Sequence, residues 1–154
     1  MRKLLLTTVV FGIVVAARPA PARADFGLGL FLGEPTGLDL KLGLGHRSDL
    51  DIVLGFSHLN TDSAGYGHVT YLVTPVVAQA DAVVVPLRIG IGGAVYGPSG
   101  DLSIGVRAPL ELGLRLRRTP LEFYGKIALV LVFIDPANDV FSDLQGGVGF
   151  RLYF

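Results

Sequence analysis

The chain has 154 residues, 51% of them hydrophobic and 17% charged, with 21 Gly, one Met and neither Cys nor Trp. The length suits one domain, and the lack of cysteine argues against a disulfide framework, a thiolate metal site, a cysteine nucleophile or a lipoprotein anchor. Thirteen basic and 13 acidic residues cancel, which is not the footprint of a nucleic-acid-binding domain. The charged fraction lies below the roughly one-quarter usual for soluble domains.

Residues 1–24 read as a signal peptide, with the mature domain over 25–154. Arg2-Lys3 is the charged start, Leu4 to Ala17 the apolar run, and Ala22-Arg23-Ala24 a small-x-small cleavage site. The run is shorter than the roughly 20 residues a helical span needs, and Pro19 and Pro21 end it. Four of the 13 basic residues precede Asp25, so the rest of the chain holds 9 basic against 13 acidic residues.

From Phe26 on, the hydrophobic period is two, the strand period, with no apolar spacing of three and four. Phe26, Leu28, Leu30 and Leu32 alternate with Gly27, Gly29, Phe31 and Gly33. Glu34-Pro35-Thr36-Gly37 predicts a type I turn, with Pro second and Gly fourth. Leu38, Leu40, Leu42 and Leu44 then alternate with Asp39, Lys41, Gly43 and Gly45. After a turn at 46–49, Leu50, Ile52, Leu54 and Phe56 oppose Asp51, Val53, Gly55 and Ser57. A polar loop is expected to about Gly67, and strand four, His68 to Val77, alternates poorly.

Following a turn at 79–81, Val83, Val85, Leu87, Ile89 and Ile91 oppose Arg88, Gly90 and Gly92. Gly97 to Asp101 is a turn signal. Strand six is apolar at every second position from Leu102 to Leu116, with Arg107, Pro109, Glu111, Gly113 and Arg115 between. After Arg118-Thr119-Pro120, Leu121, Phe123, Ile127, Leu129, Leu131 and Phe133 oppose Glu122, Tyr124, Lys126 and Ala128. A loop from Asp135 to about Asp143 leads to strand eight, which ends Val148-Gly149-Phe150-Arg151-Leu152-Tyr153-Phe154.

That last segment, with Val148, Phe150, Leu152 and Phe154 on one face, resembles the C-terminal assembly signal of bacterial outer-membrane β-barrels. The eight strands together resemble the small OmpA/OmpX-like barrels of Gram-negative bacteria. Leu32-Gly33-Glu34-Pro35-Thr36-Gly37-Leu38 resembles a Gly-Glu-Pro-Thr-Gly hairpin of uncharacterised outer-membrane proteins. The resemblance implies an all-β, eight-stranded antiparallel up-and-down transmembrane barrel, located in the outer membrane and porin-like in build. Its implied partners are outer-membrane lipid and lipopolysaccharide, with periplasmic chaperones and the barrel-assembly machinery in transit, and no nucleic acid. A monomer is the expected state.

Alternation alone leaves open which face is outside, and a soluble lipocalin-like ligand binder would put the apolar set inward. Three features favour the inverse. The apolar face is almost unbroken over eight strands, more than a small lumen holds, and the polar face is rich in Gly. The strands also match the roughly nine to eleven residues of a tilted membrane strand. Phe26, Phe123, Tyr153 and Phe154 at one end, and Phe56, Tyr96, Phe133 and Phe141 at the other, suggest two interfacial girdles. Pro75, Pro86 and Pro109 fall inside strands of a barrel that has no free edge, which predicts bulges.

The polar face carries Asp39, Lys41, Asp51, Arg88, Arg107, Glu111, Arg115, Glu122, Lys126 and Arg151. An eight-stranded barrel is just wide enough for side chains to fill, so these charges must pair, and a closed salt-bridge plug with a structural or interaction role is expected. The alternative is a narrow gated pore for water or small ions, in which Arg107, Glu111, Arg115 and Lys126 exchange partners. A further alternative is a lipid-modifying enzyme built on Ser57, His58, Asp62, Ser63 and His68, although no spacing ties these together. No catalytic residue, cofactor or metal ligand is assigned, and Gly90-Ile91-Gly92-Gly93 lacks the helix that a nucleotide motif needs. Exported protein should begin at Asp25, which the intact mass of material recovered from a Gram-negative host would show; an uncleaved Met1 would refute the cleavage site.

Overall fold

The period-two segments form eight strands: β1 (Phe26–Glu34), β2 (Thr36–Gly43), β3 (Ser48–Ser57), β4 (Ala64–Gln79), β5 (Val83–Gly97), β6 (Ser103–Leu116), β7 (Leu121–Ile134) and β8 (Phe141–Tyr153). The structure is a computed structural model and describes residues 26–57, 64–97, 102–134 and 140–154. The expected signal peptide, His58, Asp62, Ser63 and the turn at 98–101 lie outside the described residues, as do the side chains of Tyr96 and Phe141. Each strand pairs antiparallel with the next, and β8 closes on β1, giving an up-and-down barrel in which every backbone edge is used.

Closure comes with a stagger. Paired positions lead from Gly29 through Asp39, Val53, His68, Ala94, Gly105 and Val132 to Phe141. The β8 neighbour of Gly29 is Arg151, ten residues further along. That offset is the shear that tilts strands by about 35–45° and sets a bore just wide enough for side chains. Alternation then sorts the residues. Leu30, Leu38, Leu54, Ile89, Leu112, Leu129 and Val148 are among the exposed apolar side chains of the outer face. Inside lie Asp39, Lys41, Asp51, Arg88, Arg107, Glu111, Glu122, Lys126 and Arg151, all buried. The apolar face is the outside of this barrel.

Several boundaries differ from the sequence expectation. β4 begins at Ala64, not His68, because Gly65 to Gly67 pair with both β3 and β5. Ser48 and Asp49 are already strand, paired with Val73 and Leu72. Strands β4 to β8 run 13 to 16 residues, longer than a single membrane crossing requires. The first hairpin turns one residue earlier than expected, since Thr36 already pairs with Phe56. Thr36 Oγ1 both accepts from Gly33 N (3.2 Å) and donates to Gly33 O (2.9 Å), and the Glu34–Pro35 peptide is cis. Gly33 has φ +148, and a Cβ there would lie 2.4 Å from the Gly146 carbonyl oxygen, so glycine is required on both counts.

Of the three strand prolines, only Pro75 sits in a bulge. Thr74 and Pro75 together oppose Arg88, between the pairs Val73–Ile89 and Val76–Leu87. The extra residue resets the alternation, which is why β4 reads poorly as a strand. At Pro86 and Pro109 the expected bulges are absent. β5 and β6 keep one register, with rungs missing at Pro86 and opposite Pro109, while Val77–Pro86 and Pro109–Ala128 are retained on the other sides. A missing N–H removes a rung without demanding an extra residue. Among the described residues a second register shift falls at Ile104/Gly105.

Close strand approach limits what the inner face tolerates. A Cβ on Gly29 would lie 1.8 Å from the Phe150 carbonyl oxygen, whereas one on Gly125 meets nothing within 4 Å. Gly29→Ala should therefore destabilise the barrel by about 1–3 kcal/mol, and Gly125→Ala by less than about 0.5 kcal/mol. Urea titration of the detergent-folded protein would compare the two; equal effects would contradict this packing.

Candidate functional site

The centre of the lumen is an ion-pair network built on Arg151. Strand alternation turns Arg151 inward between two glycines, Gly29 on β1 and Gly149 on its own strand, which leave room for a long side chain. Its five N–H donors are all used. Nε donates to Asp39 (2.9 Å), Nη1 to Glu111 (3.0 Å) and Glu122 (3.2 Å), and Nη2 to Asp51 (2.8 Å) and Glu111 (2.8 Å). The guanidinium also lies 3.6 Å from the centre of the Tyr124 ring, a cation–π contact strengthened by the lack of water.

Glu111 is the reciprocal centre. Besides Arg151 it meets Lys41 at 3.1 Å, Arg88 at 2.8 Å and Lys126 at 3.2 Å. Arg88 forks onto Glu122 with bonds of 2.9 Å from Nη1 and 2.9 Å from Nη2, and Lys126 donates to Asp51 at 2.6 Å. Asp39, Asp51, Glu111 and Glu122 thus face Lys41, Arg88, Lys126 and Arg151, four charges against four. All of them lie on strands β2, β3, β5, β6, β7 and β8, so one network ties most of the wall together.

Two of the ten expected charges sit apart. Arg107 is buried without a carboxylate within 4 Å among the described residues; it contacts His68 Nδ1 and, at 3.4 Å, the Tyr66 hydroxyl. Arg115 lies at the end of the barrel where β1 begins and β8 ends, stacked 4.1 Å from the centre of the Tyr153 ring, and makes no ion pair with the described residues. Both follow from position along the strand. Parity points a side chain inward but does not say which level of the lumen it reaches.

Several lumen residues were not singled out from the sequence. Tyr124 donates to Asp39, and Tyr153 donates to Glu122 at 3.1 Å. Tyr153 is buried rather than part of an outer aromatic girdle, as its parity with Arg151 required. Phe26, Phe56, Phe123, Phe133 and Phe154 lie on the outer face, with Phe26 6.3 Å from Phe154 between ring centres. Asp49 adds a carboxylate 3.5 Å from Lys41 and 3.6 Å from Arg88. Nearer the opposite end, Tyr66 donates to Gln145 (2.9 Å) and packs with Ala94, Val130 and Val132.

The Ser and His of the enzyme alternative have separate partners. Ser57 donates to Glu34 at the rim. His68 lies inside β4, its Nε2 bonded to Asp51 at 3.2 Å and its Nδ1 facing Arg107 and Tyr66. With Nε2–H donating to Asp51, Nδ1 is left to accept from Arg107, the neutral tautomer. The imidazole thus links the charge network to Arg107.

The fold and lumen define a closed eight-stranded barrel of inverted polarity: charges paired within, apolar residues without. No protein-family model matches the chain, and no curated protein or solved structure matches it either.

Replacing Arg151 by Met would leave four buried carboxylates without their common donor and should cost about 3–5 kcal/mol. Arg151→Lys keeps the charge with fewer donors and should fall between. Arg115→Met should stay within about 1 kcal/mol of the parent. Urea unfolding of the three variants orders them; an Arg151→Met protein as stable as the parent would show that the network is dispensable.

Proposed function

We propose that this chain is a small outer-membrane barrel of a Gram-negative bacterium, with a structural or interaction role and a lumen closed to passage. The observation that carries the reading is the outer face: on all eight strands it exposes Leu, Val, Ile or Phe. Soluble monomers rarely expose apolar patches beyond a few hundred Å², and here the patch encircles the molecule. Lipid satisfies that band, while closure pairs every strand on both sides. Phenylalanines near both ends suit the two interfaces.

In this setting the start of β1, the end of β8 and the connections at 44–47, 80–82 and 117–120 face the periplasm, and the ends of β1, β3, β5 and β7 face outward. The outer leaflet's lipopolysaccharide and the membrane lipid are the surrounding partners. Val148, Phe150, Leu152 and Phe154 are the proposed assembly signal. In the closed barrel β8 is paired on both sides, so the assembly machinery must read this strand before closure. The Arg151–Glu111 network fills the bore and opposes the gated-pore alternative, because any ion path through it must part several charge-assisted bonds.

Protein extracted from membranes in mild detergent should migrate faster unboiled than boiled on an SDS gel, and should give no conductance steps in a planar bilayer. Recovery from the periplasm without detergent would overturn the membrane reading. Resolved conductance lost in Glu111→Ala would replace the closed scaffold with a pore.

A further inference from the structure

The end of the barrel where β1 begins and β8 ends is not sealed by the charge network. A cavity of about 510 Å³ opens there, lined by Arg47, Asp49, Gln79, Arg88, Arg115 and Tyr153 among others. Its basic groups outnumber its carboxylates. Arg47 and Arg115 have no carboxylate within 4 Å among the described residues, and Arg115 rests on the Tyr153 ring. Asp49 is already shared between Lys41 at 3.5 Å and Arg88 at 3.6 Å. Arg88 is buried, and its Nε, on this side of the network, lies 3.6 Å from Asp49 Oδ2, an ion pair beyond hydrogen-bonding distance.

The rim is held in place. Arg117 donates to Ala80 O (2.8 Å) and to Gln79 Oε1 (2.8 Å), stapling the β4–β5 turn to the β6–β7 turn. That bond engages the Gln79 carbonyl and leaves its amide N–H groups as donors beside the cavity. The backbone bonds from Thr74 N to Arg47 O (2.9 Å) and from Arg117 N to Ala82 O (3.0 Å) fix the same rim.

We propose that this cavity binds a phosphate group. Two guanidiniums without acid partners among the described residues, Arg47 and Arg115, line one half-enclosed space with the buried Arg88 and the Gln79 amide. Guanidinium forks match the oxygens of phosphate, and their charge is worth more where the wall excludes water. The single carboxylate in the site, Asp49, opposes an anion and shares Lys41 and Arg88 with Glu111, so Arg47 and Arg115 supply the excess positive charge of the cavity. The site requires only the folded barrel and goes beyond the scaffold reading. A phospholipid head group and a soluble phosphate ester share this chemistry.

The test uses the full mature chain folded in detergent, with its arginine side chains labelled with ¹⁵N for NMR. One arm titrates inorganic phosphate at constant ionic strength; the other compares micelles doped with phosphatidylglycerol and with phosphatidylcholine. Saturable shifts are expected at Arg47 and Arg115 Nε. Affinity should fall at least about tenfold in Arg47→Gln/Arg115→Gln and stay within about twofold in Arg118→Gln, which removes an exposed charge outside the cavity lining. Saturation by phosphate alone identifies a soluble ligand, and saturation by phosphatidylglycerol alone identifies the head group; either supports the site. No saturation in either arm, or equal losses in both variants, would overturn it. If the double variant does not fold, Arg47→Gln alone, at an exposed residue, gives the same comparison. The heat shift of the same samples reports on the membrane-barrel reading separately.

Discussion

The contact between Arg151 and Glu111 is the constraint around which this barrel is arranged. One guanidinium spends all its donors on four carboxylates, and one carboxylate gathers four cations. Buried singly, each of these charges would cost several kcal/mol. Buried together in balanced number, they replace the apolar core that the inverted polarity denies to this fold. Tyr124 and Tyr153 add donors at the edges of the network, and Phe31 stacks on Tyr124 with ring centres 6.0 Å apart.

Barrel closure and network depend on one another. The ten-residue stagger sets the bore, and the bore decides that charges from six strands meet at hydrogen-bonding distance instead of across water. Small residues at inward positions, Gly29 above all, let the wall approach itself where the long side chains are absent. The prolines fit the same economy of space: Pro75 takes a bulge, while Pro86 and Pro109 each interrupt the β5–β6 seam and keep their other partners. The two ends of the lumen then differ in kind, with tyrosine and aliphatic packing towards one and an open cavity with unpaired guanidiniums at the other.

Much of the architecture was legible from the period-two pattern because alternation is a local property. Leu102 to Leu116 and Leu121 to Phe133 declare their inner and outer faces without help from the rest of the chain. The same parity placed Asp39, Asp51, Glu111, Glu122 and Arg151 inside. It served less well where local and global demands diverge. The bulge at Thr74–Pro75 erased the alternation of β4, and Tyr66, which lies in the lumen, resembled part of a polar loop. Tyr153 suited a girdle by composition, although its parity with Arg151 already turned it inward.

By itself, then, the sequence determined the number of strands, their antiparallel order and most of the charged residues that line the lumen, because these follow from side-chain alternation and turn chemistry within a few residues. Only the tertiary structure decided which lumen residues meet. Arg107, Arg115 and Arg151 share the same parity and residue types that look alike, yet one faces a histidine, one stands at an open mouth and one gathers four acids. The level each side chain reaches is set by the stagger accumulated around the whole barrel, and no single strand carries that quantity.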